Sequence, residues 1–198
     1  MFHWRKAVAV GSLLISVGAV EAAYILDTGP APSGSTSLSL DNQGVNFQHL
    51  GVTFNVSQAS SITSVEGWIG ASGLGNVLFE LHAGNSPTGA LLFSTLVAIG
   101  STADDWRGAT GLDWDVTAGD FTLTAIAQPG FGGWMGTNPP TPAGVEWFIN
   151  PLSSGWASTT FNMGWRVAAE ASTVPEPGTF ALLGLGLAGL AATRRRRQ

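Results

Sequence analysis

The sequence predicts an all-β exported body, an antiparallel β-sandwich flanked by an N-terminal signal helix and a C-terminal transmembrane helix. Three observations carry this expectation. Short runs of β-branched and aromatic residues recur between clusters of Gly, Pro, Asn and Ser, no apolar stripe of helical period runs through the middle, and an uncharged apolar run lies beside basic residues at each end. A jelly roll is one form such a sandwich takes, and a closed barrel is the alternative.

At the N-terminal side, Arg5 and Lys6 form a basic region and residues 7–20 a short apolar one. Val20-Glu21-Ala22 offers small residues for cleavage after Ala22. Residues 1–22 are therefore expected to be a secretory signal peptide, the alternative being a permanent anchor. The body is assigned to 23–170 as one domain, opening on a Gly/Pro/Ser-rich lead-in at 28–39. Strands are expected at 45–56, 62–69, 76–82, 90–99, 112–116, 121–127, 145–149 and 161–169. In Phe121-Thr122-Leu123-Thr124-Ala125-Ile126 apolar and hydroxyl side chains alternate, as one buried and one wet face require. Residues 83–89 read as a loop between strands, and the Gly/Pro-rich stretch 129–142 as a long surface loop.

After a linker at 171–178, residues 179–193 form an apolar segment, and the basic tail 194–198 follows, with Arg194, Arg195, Arg196 and Arg197 in succession. As a helix the segment spans roughly 22 Å at about 1.5 Å per residue, short of the ~30 Å hydrocarbon core. Arginine snorkelling and local thinning close that gap, and the guanidinium cluster keeps its end cytoplasmic. Pro175 and Pro177 cannot continue the helix, which leaves Glu176 in an extended tripeptide at the water interface.

Pro175-Glu176-Pro177, the apolar segment and the arginines, in that order, resemble the PEP-CTERM sorting signal of exported proteins in exopolysaccharide-producing Gram-negative bacteria. The resemblance covers only the tail. It implies recognition of the tripeptide by exosortase, a stop at the arginines, transient anchoring in the inner membrane, and delivery to the envelope or the extracellular space. Signal peptidase is the second processing partner expected.

Composition narrows the function classes. The whole-chain charge of −5 hides a segregation, for between 23 and 174 two basic residues, Arg107 and Arg166, face eleven acids, a balance of −9. Such a surface repels phosphate backbones, so nucleic acid is not an expected partner. The absence of cysteine removes disulfides, thiolate catalysis and thiolate metal sites.

Catalytic signatures are sparse. There is no Gly-x-Ser-x-Gly elbow, no phosphate-binding Gly-x-x-x-x-Gly-Lys and no His-Glu-x-x-His pair. His49 and His82 fall within expected strands, where packing is the ordinary role, and Glu66, Glu80 and Glu146 are the only hint of a carboxylate pair for glycoside hydrolysis. A non-enzymatic protein without cofactor is expected. Asp104, Asp105, Asp113 and Asp115 form a candidate calcium site, set against a solvated acidic loop. Seven tryptophans occur in the body against a single tyrosine, Tyr24. Trp106, Trp114, Trp134 and Trp156 adjoin Gly, Asp or Ser and are candidate glycan contacts, while Trp68, Trp147 and Trp165 are assigned to the core. The expectation for function is a structural or adhesive protein of a biofilm or exopolysaccharide matrix, with a carbohydrate-binding module and then a polysaccharide hydrolase as alternatives.

Overall fold

The computed structural model describes residues 22–31, 37–43, 46–172 and 186–187. Twelve strands run in chain order: β1 Ala23–Asp27, β2 Ser37–Gln43, β3 Asn46–Val56, β4 Ser60–Ala71, β5 Gly75–Ala83, β6 Leu91–Ile99, β7 Asp105–Val116, β8 Gly119–Ala127, β9 Gly132–Gly136, β10 Glu146–Ile149, β11 Ala157–Thr159 and β12 Trp165–Ala171. All pairings are antiparallel, and they form one continuous sheet in the order β1-β12-β4-β9-β2-β3-β8-β5-β6. Off this path, β7 takes the second edge of β4, β10 pairs with β3, and β11 with β10.

The all-β, antiparallel expectation holds. The expected signal peptide at 1–22 lies outside the described residues except for Ala22. Of the expected transmembrane helix at 179–193, only Gly186 and Leu187 are described, and they are helical and exposed. Among the described residues no helix is long and apolar enough to cross a membrane.

The sheet has two wings, joined where β2 crosses from β9, with Asp41 opposite Gly132, to β3, with Asp41 opposite Gln48. One core draws on both. Val65, Ile69, Met135 and Trp165 come from one wing, Leu50, Val52, Phe79 and Leu123 from the other, and all eight are fully buried. At the far edges Phe93 of β6 stacks on Trp114 of β7, with ring centroids 5.4 Å apart and planes 7° from parallel. This closes the rim where no strand pairs across it. Burying side chains of this size is worth about 1.5–3 kcal/mol each, so the shared core outweighs any single hydrogen bond as the reason the wings stay together.

Two expectations need correction. The 129–142 stretch is not all loop, since it holds β9, whose glycines admit crowded neighbours: a Cβ at Gly133 would meet the Phe131 ring and the Gly70 carbonyl. The hydroxyl face of β8 is not wet either, for Thr122 and Thr124 are fully buried. Trp147 lies over Gly51 and donates Nε1 to Thr53 Oγ1 at 3.0 Å, Thr53 and Thr122 share a bond at 3.2 Å, and Thr122 donates to the Gly84 carbonyl at 2.9 Å.

Close approach of β7 to β4 depends on Gly108, where a Cβ would collide with the Val65 carbonyl and Glu66 Cα. Gly108→Ala is expected to force the strands apart and cost about 2 kcal/mol or more, in the range of overpacking. Gly73→Ala, with open space around it, is the control. Chemical denaturation of both variants checks this, and equal midpoints would contradict the crowding.

Candidate functional site

The two ends of the body leave the fold side by side. Ala23 of β1 pairs with Ala169 of β12, Ala171 pairs with Ser60, and the Ser172 amide donates to the Ala59 carbonyl at 3.0 Å. β1 therefore starts immediately after the expected cleavage point, beside the place where β12 runs out toward Pro175, Glu176 and Pro177. Those three residues and Arg194 to Arg197 lie outside the described residues. The same pole carries the turns at 57–59 and 117–118, with Asp115, Asp120 and Glu170 around them.

Arg166 pins this strand pair. Its Nε bonds Asp27 Oδ1 at 3.1 Å, its second nitrogen donates to the Gly29 carbonyl at 3.0 Å, and its guanidinium lies over Trp106 at 4.0 Å and Tyr24 at 5.4 Å. Glu66, opposite Arg166, has its carboxyl raised above the ordinary range by burial, while the guanidinium pulls the other way. Trp68 meets Trp106 edge-on at 5.5 Å, which completes an aromatic outer face around one cation.

The tryptophan assignments change accordingly. Trp114, expected at the surface, is buried against Phe93 because it points inward near the end of β7. Trp106 and Trp134 lie in strands rather than loops, and both are half-buried. The Trp106 ring is covered by Arg166, and Trp134 donates Nε1 to Asp104 at 2.9 Å across the bare backbone of Gly70. Trp156, just before β11, is half-buried too. Of the expected core indoles only Trp165 is fully enclosed, since Trp68 and Trp147 keep part of their surface.

The four aspartates do not converge. Asp105 pairs with Ile69 and Asp115 with Ser61, eight residues along β4, so at about 3.3 Å per residue the pairs are roughly 26 Å apart. Asp104 bonds Trp134, Asp105 caps the Trp106 amide, and Asp113 accepts from Ser61. Among the described residues no three potential ligands gather to hold a metal ion, and the single four-aspartate calcium site is withdrawn.

The glutamates are likewise dispersed. Glu66 is on β4, and Glu80 on β5 contacts His82 at 3.3 Å. Glu146 faces the core from β10, 1% exposed, and accepts the Met163 amide on both carboxyl oxygens at 2.8 and 2.9 Å. Burial pushes its pKa up to about 8, with the Met163 bond as a smaller opposing effect. Its role is to satisfy the Met163 amide beside Trp165. Sequence inspection had no signal for this, because nothing near Glu146 marks it as inward-facing.

Residues 173–197 match the family model described as the PEP-CTERM protein-sorting motif. The chain thus carries that sorting motif, which implies export, processing by exosortase and sorting to the envelope or surface of a Gram-negative bacterium. No curated protein matches the chain.

Glu146 generates a pH prediction. Its folded pKa exceeds the ordinary 4.5, so the stability linked to its bound proton is full below about pH 4.5 and is lost as pH rises through about 8. Glu146→Gln keeps the acceptor without the charge. Melting curves across this range are expected to fall with pH for the natural protein and to flatten in the variant, which becomes the more stable by about 1–3 kcal/mol above pH 8. A variant as pH-sensitive as the parent would contradict the assignment. Arg166→Ala is expected to cost about 1–2 kcal/mol and to lower hydrogen-exchange protection of the β12 amides bonded to β1 first. Uniform loss across the sheet would mean that Arg166 does not pin the end strands.

Proposed function

We propose that this chain is an exported structural or adhesive protein of a bacterial exopolysaccharide matrix, delivered by its sorting tail. Signal peptidase cuts after Ala22. Exosortase then acts at Pro175-Glu176-Pro177 while residues 179–193 are held in the inner membrane, and the arginines stay on the cytoplasmic side. The β-body acts as a two-layer sandwich, a reading supported by the single core shared between the wings and by the Phe93–Trp114 stack at their rim.

The observation that carries this reading is the neighbouring exit of both body ends. The step from Ala171 to Pro175 covers four residues and spans roughly 14 Å at most, so a folded body holds the tripeptide close to its own exit pole. This arrangement suits a signal peptide and a sorting tail that address one membrane. The surroundings of the pole agree, because Asp115, Asp120 and Glu170 repel anionic headgroups, whereas basic residues there would attract them by about 1 kcal/mol each. Once the tail is processed, no basic side chain among the described residues of that pole draws the body to anionic lipid.

Carbohydrate binding is the second reading, favoured by the half-buried aromatic side chains that remain on the surface. A role as a hydrolase has less behind it, since Glu66, Glu80 and Glu146 occupy three separate strands.

Replacing Pro175, Glu176 and Pro177 together by alanine is expected to leave a full-length precursor in the membrane fraction, with little mature protein outside the cell. Intact-mass measurement of both fractions checks this. Mature protein of unchanged mass and yield in the medium would separate sorting from the tripeptide.

A further inference from the structure

At the pole opposite the chain exits the core has an open mouth. Gln48 lies two residues before Leu50 on β3 and so extends the inward series Leu50, Val52, Phe54 by one pleat. It stands where the apolar layer ends. Two adjoining cavities of about 290 and 210 Å³ open there, and both are lined by Gln48 and Asn150. Asp41 and Phe47 line the larger, Phe148 and Phe161 the smaller.

The polar groups in this groove are held ready but unspent. Gln48 Nε2 has no hydrogen-bond partner among the described residues and is inaccessible to solvent as it stands, so the side chain must turn toward the groove to meet a ligand. A buried donor without a partner is unfavourable, and turning it to an acceptor in the groove relieves that. The Asn150 Oδ1 is occupied, since it accepts the Leu152 and Ser153 amides at 3.0 Å each. That turn fixes the side chain and leaves Nδ2 as the free donor. Asp41, cross-strand neighbour of Gln48, supplies a carboxylate acceptor. Phe161 is 57% exposed at the rim, offering a flat apolar ring.

We propose that this groove is a binding site for a neutral oligosaccharide. Amide donors and a carboxylate acceptor beside aromatic rings match a sugar, whose hydroxyls both donate and accept and whose C–H faces are apolar. The two cavities sharing Gln48 and Asn150 fit two successive rings of a chain. Charge favours a neutral chain over a uronate or sulfated polymer, because among the described residues lining either cavity Asp41 is the one acidic side chain and none is basic. The groove lies apart from the aromatic face around Arg166, and it faces away from the membrane during sorting. The inference rests on the reading of the body as exposed at the cell surface, but the site is defined by its own geometry.

The test uses the full chain, ¹⁵N-labelled and held in a non-glycosidic detergent, titrated with cellotetraose, maltotetraose and mannotetraose at millimolar concentrations. The Gln48 and Asn150 side-chain amide signals are expected to shift saturably with at least one of the three. Gln48→Ala and, independently, Phe161→Ala are each expected to weaken that binding by about tenfold, or about 1.4 kcal/mol. Phe161 is largely exposed, so its variant reports on binding without threatening the fold. Amide signals unmoved by all three sugars overturn the proposal. So does binding that survives both substitutions, or binding that is lost in Trp106→Phe yet retained in Phe161→Ala, which would move the site to the outer aromatic face. A chain with Pro175, Glu176 and Pro177 replaced titrates identically, so failure of sorting and failure of binding are read separately.

Discussion

The pairing of β12 between β1 and β4 is the constraint on which the architecture depends. It is unusually well fastened: Thr28 donates its hydroxyl to the Trp165 carbonyl at 3.1 Å and accepts the Trp165 amide at 3.0 Å, while Arg166 ties Asp27 and Gly29. These partners stand 137 to 139 residues apart in sequence. Contacts of such separation form late, because the loop-closure entropy must be met before the contact rewards it. The wing containing β1 and β4 therefore cannot be completed until residues 165–171 are available, and these are the last before the sorting tail. On the proposed route, the body crosses the membrane unfolded and finishes folding outside while the tail still holds it. Folding and sorting are then coupled by chain order alone.

Much of the sheet was legible because bulky side chains in period two sit where β3, β4, β5, β6 and β8 run. Of the elements not expected, β2 lies partly in the lead-in expected at 28–39 and β11 is only three residues long, while two others are glycine-rich. β9 is Gly-Gly-Trp-Met-Gly, and the part of β7 before the expected 112–116 strand contains Gly108 and Gly111. Glycine there signals crowding rather than turning. A Cβ at Gly132 would meet the Gln43 amide, and one at Gly108 the backbone of β4. Only Gly111 of these, with φ of 69°, uses the left-handed region that marks glycine as punctuation. Local composition cannot distinguish the two uses, because the neighbour that demands the small residue lies tens of residues away. β1 was missed for a simpler reason: its five residues sit at an edge and are exposed or half-buried, so they show no alternation.

Legibility of function divided the same way. The sorting tail is written in consecutive residues and was found from them. The aspartates of β7 also lie close in sequence, but a strand carries neighbours apart at about 3.3 Å per residue, which turned a cluster on paper into two separate ends. Trp114 was assigned outward from its acidic neighbours Asp113 and Asp115, yet in a strand those neighbours point to the opposite face, so they are evidence for burial. The groove at Gln48 and Asn150 was invisible because its polar groups come from β3 and the turn after β10, about a hundred residues apart.

The two poles of the body carry opposite demands, and the residues divide between them. At the exit pole, Asp115, Asp120 and Glu170 repel anionic headgroups and no basic side chain among the described residues offsets them. At the far pole, the Gln48 donor has no partner among the described residues where the core opens. A protein selected only for stability would fill that mouth, since replacing Gln48 by an apolar residue removes an unpaired buried donor and extends the series of Leu50 and Val52. Such a change is neutral or stabilising on general grounds. A local stability penalty at the end facing away from the membrane, combined with an exit pole that does not adhere, matches a body whose working surface points outward from the cell.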